Sequence, residues 1–300
     1  MKVKNLGIIV GIVLLVFGFS AQHAQAQRLL GTLNTGTDSS PVTSTLVELD
    51  PATGNLLATI GDVGYAVNGM AYDATTGNLY ATTTTWDTTF PDGLIIIDPA
   101  TAAATPVGTG AGQYVNVPAV NAAGQLYGWT ENSDDPVVWN KAAGTITVIG
   151  ASGIQSRLEG LDFDNTGTLY LVQDYDWNND GQSVYTINTT TGAATAVGAL
   201  TTLPNGYAHH GKFHPVTNLY YGIDGTLGRT GTITRNLLVI NVSTLTLVNT
   251  IPTVDYLHTL VFLPGTFQAN PIPTLGTWGL GLLVLVLGAV GFMVIRSRFV

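Results

Sequence analysis

Five polar residues recur at one place in a repeated pattern: Asn68, Asn116, Glu159, His210 and His258. Two or three residues ahead of each stands a second set, Tyr65, Tyr114, Arg157, Tyr207 and Tyr256. A carboxylate, two amide oxygens and two imidazoles converging on one point can hold a divalent cation, which would polarise a carbonyl or activate water. The same groups rimmed by aromatic rings also suit a small-molecule or sugar pocket. Entrances of ring-shaped folds are polar in any case, and tyrosines pack between their elements, so the pattern alone leaves ligand site and wet rim both open. Asp176-Trp177-Asn178-Asn179-Asp180-Gly181 offers a second chemistry. Asp176, Asn178 and Asp180 put oxygens at alternate positions ahead of a glycine, as a calcium loop does. The twelfth position, where a helical calcium hand needs glutamate, is Ile187. Calcium here would be structural, and an acidic hairpin turn explains the same residues. His209, His210 and His214 form a third cluster; strand alternation places His210 and His214 on one face with His209 opposite. No nucleophile elbow, phosphate loop, dinucleotide fingerprint or zinc-protease motif occurs.

The elements that must position these residues are legible as a repeat. Thr76-Gly77-Asn78-Leu79-Tyr80 returns as Gly124-Gln125-Leu126-Tyr127, Gly167-Thr168-Leu169-Tyr170 and Thr217-Asn218-Leu219-Tyr220, with the leucines 47, 43 and 50 residues apart. A period of roughly 40–50 residues holding short strands and tight turns indicates a β-propeller. Each copy reads as four strands, and Asp50-Pro51-Ala52-Thr53-Gly54, Asp98-Pro99-Ala100-Thr101 and Asn188-Thr189-Thr190-Thr191-Gly192 are one turn in three copies. The first copy lacks its first strand, and His258 to Leu263 supplies one with nothing after it. Pairing the two closes the ring and removes its open edge, giving an all-β, five-bladed propeller over 27–264. A parallel β-helix, with a period nearer 20 residues, fits less well.

The two ends address the chain. Lys2 and Lys4, the apolar run from Leu6 to Phe19 and Ala24-Gln25-Ala26 form a signal peptide over 1–26, cleaved after Ala26. Residues 265–271 are a linker. From 278 to 295 runs an uncharged apolar stretch long enough to cross a bilayer, and Arg296 and Arg298 follow on the cytoplasmic side. Every acid lies between the ends: residues 27–270 hold nineteen acids and six bases, a net of −13. That surface repels nucleic acid. The chain has no cysteine, so neither disulfides nor a lipidated thiol enter the reading.

Ile272-Pro273-Thr274-Leu275 with Trp278-Gly279, the apolar span and the basic end (272–300) resemble the IPTL-CTERM sorting signal of exported bacterial proteins. Gly276-Thr277 stand where that family usually has Ser-Glu. The resemblance implies a precursor anchored in the inner membrane by its C-terminal helix, an exosortase-like sorting enzyme as partner, and a destination at the cell surface or beyond. More loosely, the Asp-Pro-x-Thr-Gly turns and Leu-Tyr strands resemble bacterial surface propellers. The expected function is a non-enzymatic propeller displayed on the envelope or extracellular matrix, binding carbohydrate or a surface protein. The alternative is a lactonase-like, metal-dependent hydrolase or lyase, with Glu159, His210, Asn68 and Asn116 around the cation.

Overall fold

The structure is a computed structural model and describes residues 27–35, 43–156, 160–173, 182–201, 203, 208–224 and 235–265. The twenty strands follow one another as β1 (Gln27–Leu33), β2 (Thr45–Leu49), β3 (Leu56–Asp62), β4 (Val67–Asp73), β5 (Asn78–Thr83), β6 (Leu94–Ile97), β7 (Ala104–Val107), β8 (Ala119–Val120), β9 (Leu126–Trp129) and β10 (Pro136–Asn140). The second half holds β11 (Thr145–Val148), β12 (Gly160–Phe163), β13 (Leu169–Val172), β14 (Ser183–Ile187), β15 (Ala194–Ala199), β16 (His209–Phe213), β17 (Tyr220–Asp224), β18 (Arg235–Asn241), β19 (Thr246–Thr253) and β20 (Leu257–Pro264). They form five antiparallel four-stranded sheets. Blade 1 is β20-β1-β2-β3, and blades 2 to 5 each take four consecutive strands. The inner strands β20, β4, β8, β12 and β16 touch in that cyclic order, and β16 meets β20. The chain is an all-β, five-bladed propeller closed by its last strand.

Burial is organised between blades. Five apolar clusters fill five seams; that between blades 1 and 2, for instance, joins Leu30, Leu46 and Val261 to Met70, Leu79 and Ile95. Each central strand is covered on both faces, so adjacent residues such as Leu29 and Leu30 are both buried but belong to different seams. That explains the near-continuous apolar runs, where a half-exposed sheet would alternate. The outermost strands are largely exposed. On the axis the inner strands approach so closely that a Cβ on Gly69 would lie 2.5 Å from Pro118 Cδ.

The turns share one mechanism. The side chain of Asp50, Asp98, Asn140, Asn188 or Asn241 accepts the backbone N–H two residues on in all five third-to-fourth strand turns. Asp73, Asn121 and Asp164 do the same between first and second strands, and in blade 5 His214 Nδ1 takes that part. Gly77, Gly124 and Gly167 then adopt positive φ two residues ahead of a leucine, as Asn218 (φ 57°) does ahead of Tyr220. Blade 5 is therefore one residue out of the sequence alignment. Tyr220, and not Leu219, is the counterpart of Leu79, because asparagine replaces glycine in the left-handed turn position.

All these turns, 4–6 residues long, lie on one face of the ring. The second strands end and the third strands begin on the other, and four of the five intervals between them span 10 or 11 residues. The inner strands run from the long-loop face to the short-turn face. The last described residue, Gly265, follows β20 and so leaves from the short-turn side. Among the described residues no helix is long and apolar enough to cross a membrane.

Candidate binding site at the long-loop mouth

The polar column owes its position to irregularity in the inner strands. Val67 pairs with Thr83 and Gly69 with Thr82, so Asn68 has no residue opposite it. His258 is skipped in the same way between Leu257 and Thr259. Asn116 follows Val115, which bridges Thr130. A bulge turns its side chain out of the pleat, and here it does so at the rim of the ring.

Blades 2 and 3 supply amides. Asn68 Nδ2 donates to Asn116 Oδ1, and Asn116 Nδ2 donates to Glu131 Oε2 at 3.2 Å. Thr82 Oγ1 donates to the Asn116 carbonyl at 2.6 Å. Asn68 and Asn116 are buried, so this chain of amide, amide and carboxylate is held in place from two blades. Blades 5 and 1 supply imidazoles. His210 adopts a φ of 48°, and the register of β16 against β17 shifts between His209 and Lys212. The expected alternation is broken there. His209 and His210 pack edge to face at 5.2 Å, and His210 meets His258 at 4.7 Å. His214, expected on the same face as His210, sits in the turn at the other end of the strand, against Phe262.

The imidazoles are neutral. Burial, helped by the nearby Arg235 charge, holds His209 down at about 3 and His258 at about 4, and burial pushes His210 well below the usual imidazole range. His210 Nδ1 lies 2.9 Å from the His258 carbonyl, so it carries the proton and Nε2 carries the lone pair. His210 Nε2 and His258 Nδ1 are buried ring nitrogens with no hydrogen-bond partner.

Tyr65, Tyr114 and Tyr256 are half-buried at this mouth, and their backbone carbonyls accept from Ser44, Glu131 and Asn34. Glu159, Arg157 and Tyr207 lie outside the described residues, as do Asp176, Asn178 and Asp180 of the proposed calcium loop. Among the described residues no group of three or more histidines and carboxylates is placed to hold a metal. The Asn116 oxygen that a cation would need already receives the Asn68 N–H. Glu131 was not apparent from the inner-strand column. It comes from the β9–β10 loop, and only the Val115–Thr130 bridge brings it beside Asn116. Asp87 was missed likewise; its buried carboxylate accepts from Ala66 and Phe90 and pins the β5–β6 loop to the start of β4.

Residues 270–299 match the IPTL-CTERM motif. No curated protein matches the chain. Among solved structures, the chain is similar to one from the nidogen/laminin complex, at 13% identity and a TM-score of 0.52, over 80% of this chain and 100% of that one. A protein of unknown function from Bacteroides caccae is 10% identical with a TM-score of 0.48, over 79% of this chain and 99% of that one. A gluconolactonase from Xanthomonas campestris is 17% identical with a TM-score of 0.46, over 77% and 78%. At such identities the likeness concerns fold alone. The chain thus joins a surface-sorting motif to a propeller.

Proposed function

We propose that this is an exported bacterial propeller displayed at the cell envelope, whose long-loop mouth binds a surface component, carbohydrate or protein, without turning it over. The observation that carries this is the opposition of faces. β20 ends at Pro264 on the short-turn side, so an anchor that follows it would leave the long loops and the polar mouth facing away. At that mouth Asn68, Asn116 and Glu131 hydrogen-bond one another, and the imidazoles are neutral and packed together. Such a surface is fixed and suited to recognition. The signal peptide over 1–26, the linker over 265–271 and the membrane helix over 278–295 belong to the same proposal. So do the inner-membrane precursor and an exosortase-like partner acting on Ile272 to Gly279.

The absence of cysteine makes the orientation directly testable. Trp86, 57% exposed on the β5–β6 loop, and Val216, 54% exposed on the opposite face, can each become the chain's single thiol. On intact cells an impermeant maleimide should label Trp86→Cys fast and Val216→Cys slowly, and deletion of 272–300 should release the protein unanchored. If neither thiol is labelled on intact cells, display is wrong. If the protein turns over a lactone in a metal-dependent way, and loses that with His210→Asn, the hydrolase replaces the binding reading.

A further inference from the structure

The other mouth of the ring holds a second site. A cavity of about 390 Å³ opens there, within the size range of small-molecule sites, and all five inner strands line it. Strand registers place Ala71, Ala119, Asp162, Lys212 and Val261 at equivalent positions, opposite Tyr80, Tyr127, Tyr170, Tyr221 and Leu30. Three blades put a small or aliphatic side chain at this level, whereas blades 4 and 5 put a carboxylate and an ammonium. One residue further on, Tyr72, Phe163, Phe213 and Phe262 stand at another equivalent level and give the cavity aromatic walls.

The charged pair is held apart by its surroundings. Lys212 is 4% exposed; its Nζ reaches across the axis to donate to the Pro118 carbonyl, and to the Leu161 carbonyl at 2.8 Å. Asp162 Oδ2 accepts the Phe213 N–H at 2.8 Å. Lys212 Nζ and Asp162 Oδ1 are then 3.8 Å apart. That is too long for a direct hydrogen bond and suits one oxygen touching both. A hydroxyl both donates and accepts, so it can take the third ammonium proton and give its own to the carboxylate. An anionic ligand would meet Asp162 and Asp164, and a cationic one Lys212. A neutral polyhydroxyl ring lying against aromatic faces meets neither penalty. We propose that this cavity binds a neutral pyranose saccharide, one hydroxyl bridging the Lys212 ammonium and the Asp162 carboxylate. This cavity shares no residue with the polar column at the long-loop mouth.

The test uses the full chain in a zwitterionic detergent, with the methyl pyranosides of glucose, mannose and galactose as probes and saturation-transfer NMR as readout. Ala122, exposed on the rim, becomes tryptophan to fill the cavity without touching a seam. Asp162→Asn keeps an acceptor for the Phe213 N–H and removes the charge. At least one pyranoside should receive saturation from the parent protein. Ala122→Trp should abolish the transfer, and Asp162→Asn should weaken affinity at least about tenfold. Thermal melts matching the parent certify both variants, and Ala74→Trp on the neighbouring blade of the same rim replaces Ala122→Trp if that variant melts early. No transfer from the parent to any probe overturns the proposal. So does transfer undiminished by filling the cavity, which would place sugar binding elsewhere on the ring and leave the display reading standing.

Discussion

Acidification from pH 7.5 to 5.5 should destabilise the ring through His209, His210 and His258. Burial holds all three neutral in the folded state, His209 at about 3, His258 at about 4 and His210 well below the usual range. In the unfolded chain each titrates near 6.5. The folded pKa values are depressed, so the stabilisation is complete above about 6.5 and is lost as pH falls toward the folded values. At pH 5.5 the unfolded state gains RT ln(1 + 10), about 1.4 kcal/mol per histidine, or about 4 kcal/mol for the three. Against a typical stability of about 5–15 kcal/mol this is a large fraction. Urea denaturation of residues 27–265, which contain all five seams, reads it directly. With a urea slope of about 3 kcal/mol per molar, the midpoint should drop by about 1.4 M between the two pH values. Asp92 and Asp162, raised by burial, shift stability the other way, but His209→Gln leaves them in place. That variant should lose about a third of the pH effect. Midpoints that agree within roughly 0.2 M at the two pH values in the parent would refute the reasoning, because the imidazoles would then be solvated or already protonated.

Three further outcomes follow from packing and charge. Gly211→Ala puts a Cβ 2.4 Å from the Tyr221 carbonyl oxygen and 2.5 Å from the Tyr220 ring, and urea midpoints should show a loss of at least about 1–3 kcal/mol. Lys141 Nζ reaches from blade 3 to Asp73 Oδ2 at 2.7 Å. Lys141→Met should cost about 2–3 kcal/mol, below the fully buried case because Lys141 is 28% exposed. Burial raises the Asp73 pKa, but bonds from Lys141 and Thr75 outweigh it and hold the carboxyl at about 2, so its stabilisation is present above about 4 and fades as pH falls to about 2; the variant should flatten that acid limb. Millimolar calcium should raise the melting midpoint over EDTA, by about 2.7 kcal/mol at a hundred times the dissociation constant, and Asp176→Asn should remove the rise. Equal melts in EDTA and calcium would retire the calcium loop.

Blade number and ring closure were legible because they rest on local chemistry. Glycine in the left-handed turn position, followed by Leu-Tyr, marks the second strand wherever glycine is present. Where Asn218 takes its place the register slips by one, and the sequence offers no cue except the second tyrosine, Tyr221. The polar column was legible too, since Asn68, Asn116 and His258 precede equivalent strands. Their partners were not. Asn68 meets Asn116 across 48 residues, as His210 meets the His258 backbone, because blade twist and bulges choose those contacts. Lys212 and Asp162 looked like ordinary polar strand residues. Only a closed ring reveals that their level faces the axis.

Function in a ring of near-equal blades must reside in departures from equality. At the long-loop mouth blades 2 and 3 give amides and a carboxylate while blades 5 and 1 give imidazoles, so the rim has two chemically different halves. At the other mouth a single Lys–Asp pair replaces the small side chains of the remaining blades. Lys212 bridges blades 3, 4 and 5 across the axis, donating to Pro118 and Leu161. A buried ammonium holding two backbone carbonyls is costly to displace, because removing it would leave both carbonyls and Asp162 without it. The cavity shares no lining residue with the polar column of the long-loop mouth. Since the chain leaves beside Pro264 on the rim of the lower cavity, a tethered ring would offer that cavity to its own envelope and the long-loop mouth to the surroundings. A propeller built in this way can hold its position on one face while it recognises on the other.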